Sequence, residues 1–259
     1  MRNLLIALVF TLLPFVVAAE SPEEKGLKIV QEADRRDTGW VDLKAELKMV
    51  LKNKSGQQSE RSIRIDTLEV QGDGDKSLSV FNAPKDIKGT AFLSYTHSVV
   101  PDDQWLYLPA LKRVKRIASA NKSGPFVGSE FAYEDLASQE IDKYTYKWLR
   151  DEPLDGRECF VIEAYSVYEN SGYTRQVVWL DKAMYQPIRI DYYDRKNAEL
   201  KSLVSSDWNQ YLDKYWRPGL MNMVNHQTGK STDLTWSNYQ FKTGLTDRDF
   251  DRNTLKRAR

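Results

Sequence analysis

Residues that commonly perform catalysis are few in this chain, and their spacing matches no familiar catalytic motif. The only histidines, His97 and His226, have no second His, Cys or carboxylate at metal-ligand spacing, so no zinc site is predicted. No nucleophile elbow, phosphate-binding loop or H-E-x-x-H motif occurs. Cys159 precedes Phe-Val-Ile, which indicates a buried structural thiol. We therefore expect no enzyme activity, no cofactor and no metal. A carboxylate-dependent envelope-lipid hydrolase stays open as an alternative, because acidic pairs such as Glu134-Asp135 exist.

Large aromatic side chains are the more informative candidates for function. Several lie in predicted strands, where they suit a packed core or the wall of an apolar cavity equally well. Two others lie in a Gly/Ser/Pro loop, and we expect them to form a mobile rim over an apolar opening. The candidate ligand-binding residues are Trp105, Tyr107, Phe126, Phe131, Trp148 and Trp179.

A dense basic run precedes that loop. Its charged members are Lys112, Arg113, Lys115 and Arg116. They could form a solvated strand face, or a docking patch for an acidic partner or for anionic lipid head groups, which attract clustered Lys and Arg by roughly 1 kcal/mol each. Contact with a membrane surface is therefore one expectation.

The elements that must position these residues are mostly strands. Apolar residues alternate with charged ones from Val41 to Leu51, a period of two that only a half-buried strand satisfies. Ser21-Pro22-Glu23-Glu24 has the signature of a capping box, which predicts a helix over 22–35. A second, short helix is expected near 133–141. Further strands are predicted at 63–65, 76–81, 89–97, 104–109, 112–118, 144–150, 158–168, 173–181, 187–194, 199–205, 219–226 and 231–241.

This order of strand, turn and strand predicts an antiparallel meander, and ten or more strands must curl or split. We expect a mainly β (α+β) fold: a strongly curved antiparallel sheet or incomplete β-barrel, closed by a helical lid around an apolar cavity. We find no internal repeat and no linker, so residues 20–259 are expected to form one domain and the protein to be a monomer.

The first residues predict export. Arg2, the apolar run from Leu4 to Val17 and the small residues up to Ala19 are typical of a cleaved signal peptide over 1–19, too short for the ~20 residues of a bilayer span. Its removal takes one basic residue and leaves 37 basic and 37 acidic groups. A neutral, exported chain is not expected to bind nucleic acid.

The central motifs resemble a known bacterial family. W-L-Y-L-P-A-L-K-R-V-K-R-I-A (105–118), S-G-P-F-V-G-S-E-F (123–131) and Y-E-D-L (133–136) are similar to the outer membrane lipoprotein-sorting protein family of the LolA-like superfamily. The upstream F-N-A-P (81–84) and K-G-T (88–90) fit the same family, as do V-W-L-D (178–181) and P-I-R-I (187–190).

The resemblance implies an incomplete barrel with a lid, a periplasmic location in a Gram-negative bacterium, and a cavity for lipid or lipoprotein acyl chains. It also implies partnership with an inner-membrane transporter of the resistance-nodulation-division (RND) type. The expected function is therefore a periplasmic carrier for envelope lipid or lipoprotein trafficking. A periplasmic adaptor that docks on a transporter and carries nothing is the alternative.

Overall fold

A computed structural model of the protein describes residues 19–258. The predicted signal peptide lies outside the described residues, apart from Ala19. Within the described part of the chain, no helix is both long and apolar enough to cross a membrane. The elements are one α-helix, α1 (Pro22–Asp37), and fifteen strands: β1 (Asp42–Lys52), β2 (Gln58–Leu68), β3 (Lys76–Ala83), β4 (Ala91–Tyr95), β5 (Asp103–Leu108), β6 (Arg113–Ile117), β7 (Tyr144–Leu154), β8 (Arg157–Ser166), β9 (Tyr173–Asp181), β10 (Pro187–Asp194), β11 (Glu199–Ser206), β12 (Asn209–Tyr211), β13 (Tyr215–Arg217), β14 (Leu220–Asn225) and β15 (Ser231–Phe241).

Thirteen strands form one curved antiparallel sheet in the order β6-β5-β4-β3-β2-β1-β15-β14-β11-β10-β9-β8-β7. The chain starts in the middle of this sheet, builds one half from β1 to β6, and builds the other from β7 to β15. Strands β6 and β7 are its two edges, so the sheet is not closed into a barrel. The predicted fold class is confirmed.

The concave face of the sheet holds the largest apolar cluster. Alternation along the strands directs Ile63, Phe92 and Leu106 inward, where they meet Ile190 and Met223 from the other half of the sheet. Residues 118–143, which we call the plug segment, connect β6 to β7 and enter this cluster. The predicted short helix near 133–141 is wrong: the structure has two 3-10 turns there, Tyr133–Leu136 and Ile141–Lys143.

The outer face of the sheet is also partly buried. Phe250 and Leu255 of the C-terminal segment pack on Leu78, Leu93 and neighbouring outer residues of the β1–β6 half. A small hairpin, β12–β13, brings two tryptophans onto the outer face of the other half. The alternation of apolar and charged residues predicts one charged face of the sheet, but short apolar segments cover these parts of the outer face.

Helix α1 lies on the part of the concave face formed by β7, β8 and β9. Ser21 and Glu24 form the predicted capping box, with the Glu24 amide donating to Ser21 Oγ at 3.1 Å and the Ser21 amide donating to the Glu24 carboxylate at 2.9 Å. The helix approaches β7 closely at Gly26: a Cβ built there would lie 2.7 Å from the Trp148 backbone nitrogen. The helix and the plug segment together cover the concave face.

Candidate functional site

A cavity of about 680 Å³ lies between α1 and the concave face of β7–β9. Its floor is apolar, because inward positions of β8 and β9 carry Ile162, Val178 and Leu180 and the helix contributes Val30 and Ala33. Ligand cavities in proteins commonly measure 300–1,000 Å³ and are mostly apolar. The volume and the floor suit a flexible hydrocarbon chain.

Two tyrosines of β7 form one wall of the cavity. Tyr146 donates a hydrogen bond from its hydroxyl to the Ile141 carbonyl at 3.2 Å, and the Tyr144 hydroxyl lies 3.3 Å from that of Tyr168. Burial raises the pKa of both cavity-lining tyrosines well above the ordinary range, so they stay neutral near pH 7. This wall therefore offers ring surface and no charge.

Another part of the cavity lining is acidic. Asp34 and Asp37 come from the last turn of α1, Glu69 and Asp75 from the β2–β3 connection, and Glu140 from the end of the plug segment. Burial, with smaller contributions from the nearby carboxylates of Glu140, Glu69 and Asp37, raises the pKa of Asp75 to about 7, although a hydrogen bond from the Val70 amide opposes the shift. The cavity thus combines an apolar floor with a cluster of carboxylates.

The predicted aromatic contacts do not line this cavity. Trp105 and Tyr107 lie on the outer face of β5, where Trp105 packs beneath the C-terminal segment. Trp179 lies on the outer face of β9 and donates a hydrogen bond from Nε1 to Glu152 at 3.0 Å. Trp148 packs with α1, and the Lys25 ammonium lies 3.3 Å from its ring centroid. The four residues lie at three separate places, with only Trp105 and Tyr107 close together, and their contact with a ligand stays a prediction.

Phe126 and Phe131 lie in the interior of the concave face, each with 2% of its surface exposed. Phe126 packs against the rings of Phe92 and Tyr133, whose centroids lie 5.2 and 5.6 Å away. The structure differs here from the expected mobile rim, because the Gly/Ser/Pro backbone folds the two rings inward and the Phe126 amide bonds the Phe131 carbonyl at 2.7 Å. They are core residues in this structure, and a ligand contact by them stays a prediction.

A buried polar network holds the plug segment in place. Lys201 on β11 donates from Nζ to the Glu130 carbonyl at 2.8 Å and to the Asp135 carboxylate at 2.6 Å, and the Tyr173 hydroxyl donates to the same carboxylate at 2.8 Å. Glu134 accepts a hydrogen bond from the Gly172 amide at 2.8 Å. The Y-E-D-L motif therefore joins the plug to the second half of the sheet.

The basic run lies where the sequence predicts a strand. Arg113, Lys115 and Arg116 are exposed on edge strand β6, and Lys112 precedes it in the left-handed region, with φ at 49°. Arg116 forms an ion pair with Asp103 on the neighbouring strand. The four charges form one exposed edge of the sheet, away from the residues that line the cavity. Their role in docking stays a prediction.

One group of side chains has the composition of a hydrolase site but lacks its geometry. The Ser202 hydroxyl donates its hydrogen bond to the Asp191 carboxylate at 2.6 Å. His226 Nε2 lies 2.8 Å from the Ser202 oxygen and therefore donates a hydrogen bond to that oxygen. A nucleophilic serine requires the histidine to accept its proton, so this arrangement does not activate Ser202.

The described residues include no group of three or more His, Cys, Asp or Glu arranged to hold a metal ion.

Sequence reasoning missed the residues that do line the cavity. Ile162, Val178 and Leu180 have the ordinary appearance of core residues in buried strands. The last turn of α1 gives no signal either, because Arg35 and Arg36 accompany Asp34 and Asp37 there and meet the usual preference for cations at a helix C-terminus.

Comparison with known proteins agrees with this architecture. A family model described only as an uncharacterized protein matches residues 73–257. An outer membrane lipoprotein-sorting protein domain from Vibrio parahaemolyticus has a solved structure with 57% sequence identity and a TM-score of 0.89, covering 90% of this chain and 99% of that one. A DUF1329 family protein from Desulfovibrio piger has 30% identity and a TM-score of 0.86, covering 91% and 99%.

A LolA superfamily protein from Nitrosomonas europaea shares the fold, with a TM-score of 0.71 at 17% identity over 88% of this chain and 98% of that one. No curated protein matches the chain. The high identity and coverage of the first two structures show the family, and they confirm the resemblance seen in the central motifs. The chain belongs to the family of outer membrane lipoprotein-sorting and DUF1329 proteins, and it has the LolA-like fold.

Proposed function

We propose that the protein is a periplasmic carrier that binds lipid or lipoprotein acyl chains in the cavity between α1 and strands β7–β9. The observation that supports this most directly is the cavity itself, about 680 Å³ with an apolar floor under the only α-helix of the described chain. Burial of hydrocarbon contributes about 0.8 kcal/mol per methylene. A preformed cavity of this kind binds a chain without a catalytic group or a cofactor.

The family supports the same proposal. The relative from Vibrio parahaemolyticus is described as lipoprotein-sorting, and a carrier for acyl chains is the role that this description favours for the present chain. The export signal expected from the sequence supports a periplasmic location. An RND-type inner-membrane transporter is the partner that we propose for loading or delivery, on the basis of the sequence resemblance alone.

Native mass spectrometry of gently purified protein, followed by solvent extraction, tests the carrier proposal. We expect a bound lipid of defined mass, and we expect it to be lost in Ala33→Trp, which fills the cavity from α1. The matched control is Leu27→Trp on the solvent side of the same helix, where the side chain is 39% exposed and does not line the cavity. Equal lipid content in both variants, or none in the unchanged protein, would refute the carrier proposal.

A second candidate function is a docking adaptor, and the exposed basic edge of β6 favours it. Reversing the charges of Lys112, Arg113, Lys115 and Arg116 to Glu should then abolish copurification with the transporter and leave lipid binding intact. The control carries the same number of reversals at exposed lysines elsewhere: Lys54, Lys85, Lys196 and Lys230. Copurification that survives in the first variant would exclude this edge as the docking site.

A further inference from the structure

The charge of the cavity is one-sided. Of the described residues that line it, seven are Asp or Glu and none is Lys, Arg or His. Cations lie behind the lining: Arg217 pairs with Asp37, Arg36 lies over the Tyr185 ring and pairs with Glu32, and Lys143 pairs with Asp102. The charged side chains that line the cavity itself are therefore all carboxylates.

Some of the carboxylates are neutralised within the protein, and others are not. Asp37 accepts from Arg217 at 2.7 Å, and Asp73 lies 2.8 Å from His97 Nδ1. No ion pair within residues 19–258 involves Asp34, Asp75 or Glu140, although all three line the cavity. Asp34 is exposed to solvent, and Asp75 and Glu140 are half-buried and accept hydrogen bonds from the Val70 amide and the Ser138 hydroxyl, so all three remain able to bind a cation that enters the cavity.

The helix adds to this negative charge. Asp34 lies in the last turn of α1, where the carbonyl groups give the helix end a partial negative charge. A carboxylate is disfavoured at this end of a helix and a cation is favoured. Arg35 and Arg36 of the same turn pair with Glu32 and do not line the cavity, so the helix end adds negative potential on the side where Asp34 lies.

An apolar floor beside an acidic wall matches an amphiphile with a positive end. We propose that the ligand of this cavity is an amphiphile with a cationic, amine-bearing head group, whose chain lies on Ile162, Val178 and Leu180 and whose head group is bound by Asp34, Asp75 and Glu140. This inference rests on the proposed function, since it adds the chemistry of the head group to the site proposed for the acyl chain.

The titration of these groups agrees with the assignment. Burial raises the pKa of Asp34 and of Glu140 and takes that of Asp75 to about 7. An ammonium group within a few ångströms would lower all three pKa values and hold the carboxylates ionised. An anionic head group in the same place would raise them further, so it would bind only with an added proton.

Three probes of equal chain length separate the head group from the chain: dodecylamine, dodecyl maltoside and dodecyl phosphate, each below its micelle concentration. Affinity is measured at pH 7.5 by displacement of a fluorescent apolar dye. We expect dodecylamine to bind at least about tenfold more tightly than dodecyl phosphate, with the maltoside between them. Added salt should weaken only the binding of the amine, because the mouth of the cavity is accessible to counterions.

The double variant Asp34→Asn, Glu140→Gln assigns the preference to the cavity. It should reduce the affinity for dodecylamine to within about threefold of that for dodecyl maltoside and leave the maltoside unchanged. The matched control is Glu169→Gln, an exposed carboxylate that does not line the cavity and whose change should affect no probe.

The outcomes distinguish the two levels of the proposal. If all three probes bind with equal affinity and Ala33→Trp removes their binding, the acyl site is correct and the cationic head group is wrong. Tighter binding of dodecyl phosphate also overturns the head group. If none of the probes binds, the carrier function itself fails, and this inference fails with it.

Discussion

Lys201 and Asp135 form an ion pair in which the side chains are only 4% and 3% exposed. Removing one partner of such a pair leaves a buried charge without compensation, which typically costs 3–5 kcal/mol. We therefore expect Lys201→Met to lower the free energy of unfolding by about 3–5 kcal/mol in urea denaturation. Adding Asp135→Asn should recover part of that loss, because the stranded charge is removed. Additive losses in the two single variants would show that the pair does not act as a unit.

Asp75 predicts an unusual dependence of stability on pH. Its pKa is raised from 3.8 to about 7 by burial, so the folded state holds a proton that the unfolded state releases between these pH values. The contribution of this group to stability is therefore largest below about pH 4 and is lost as pH rises to about 7. Asp75→Asn, which keeps an acceptor for the Val70 amide, should be more stable than the unchanged protein at pH 8 by about 1–3 kcal/mol and nearly equal to it at pH 4.

Chemical denaturation of both proteins at pH 4, 6 and 8 measures that difference. Other carboxylates titrate in the same range, but their effect cancels when the variant is subtracted from the unchanged protein. A difference that does not change with pH would mean that the Asp75 pKa is ordinary in the folded state.

At the scale of the element, the position of α1 depends on a glycine. A glycine within a helix normally costs about 1 kcal/mol relative to alanine, so Gly26→Ala would stabilise an isolated helix. In the protein the new Cβ would meet the backbone of Lys147 and Trp148 at 2.7 to 3.0 Å, and the helix would have to move away from β7. We expect Gly26→Ala to lower the free energy of unfolding by about 1–3 kcal/mol and to weaken acyl binding. Thermal denaturation and dye binding test both.

Gln31→Ala is the matched control, because Gln31 is exposed on the same helix. Its effect on stability should stay within about 0.5 kcal/mol. Stabilisation by Gly26→Ala would show that the close approach of helix and strand is not retained in solution.

The C-terminal segment gives a prediction for the outer face of the sheet. Phe250 is 1% exposed and packs on the outer side of the β1–β6 half, while its carbonyl accepts a hydrogen bond from the Tyr95 hydroxyl. Phe250→Ala should cost about 3–5 kcal/mol of stability in urea denaturation, through lost burial and an unfilled cavity. Acyl binding in the folded variant should be unchanged, because this segment lies on the other side of the sheet from the ligand cavity. Val99→Ala, at a side chain 78% exposed, is the control with no expected effect on stability.

At the scale of the whole molecule, most of the sheet could be predicted and the site could not. Alternation of period two located the strands, since it reports directly on a half-buried sheet. The same alternation does not say which face of the sheet is concave. It therefore does not distinguish Trp105 and Trp179, which lie on the outer face, from residues of the concave face. The hairpin β12–β13 was missed, because strands of three residues are too short to show a period.

The plug segment shows a different limit. A Gly/Ser/Pro loop with two phenylalanines predicts a mobile rim over an apolar opening, whereas both rings lie in the core. Where they are buried depends on Lys201 and Asn225, which are distant in sequence and which bind Asp135 and Glu130 of the plug. Such long-range polar contacts leave no local pattern, so the core position of Phe126 could not be distinguished from a rim.

The central claim is the location of the acyl chain, and photo-crosslinking tests it most directly. An alkylamine or alkyl maltoside with a diazirine near the end of its chain is bound to the folded protein and irradiated, and the labelled peptides are identified by mass spectrometry. The account predicts labels in α1, within 22–37, and on β8 and β9, within 157–181, and predicts their loss in Ala33→Trp but not in Leu27→Trp. Labels confined to the plug segment, to β6 or to the C-terminal segment would contradict it.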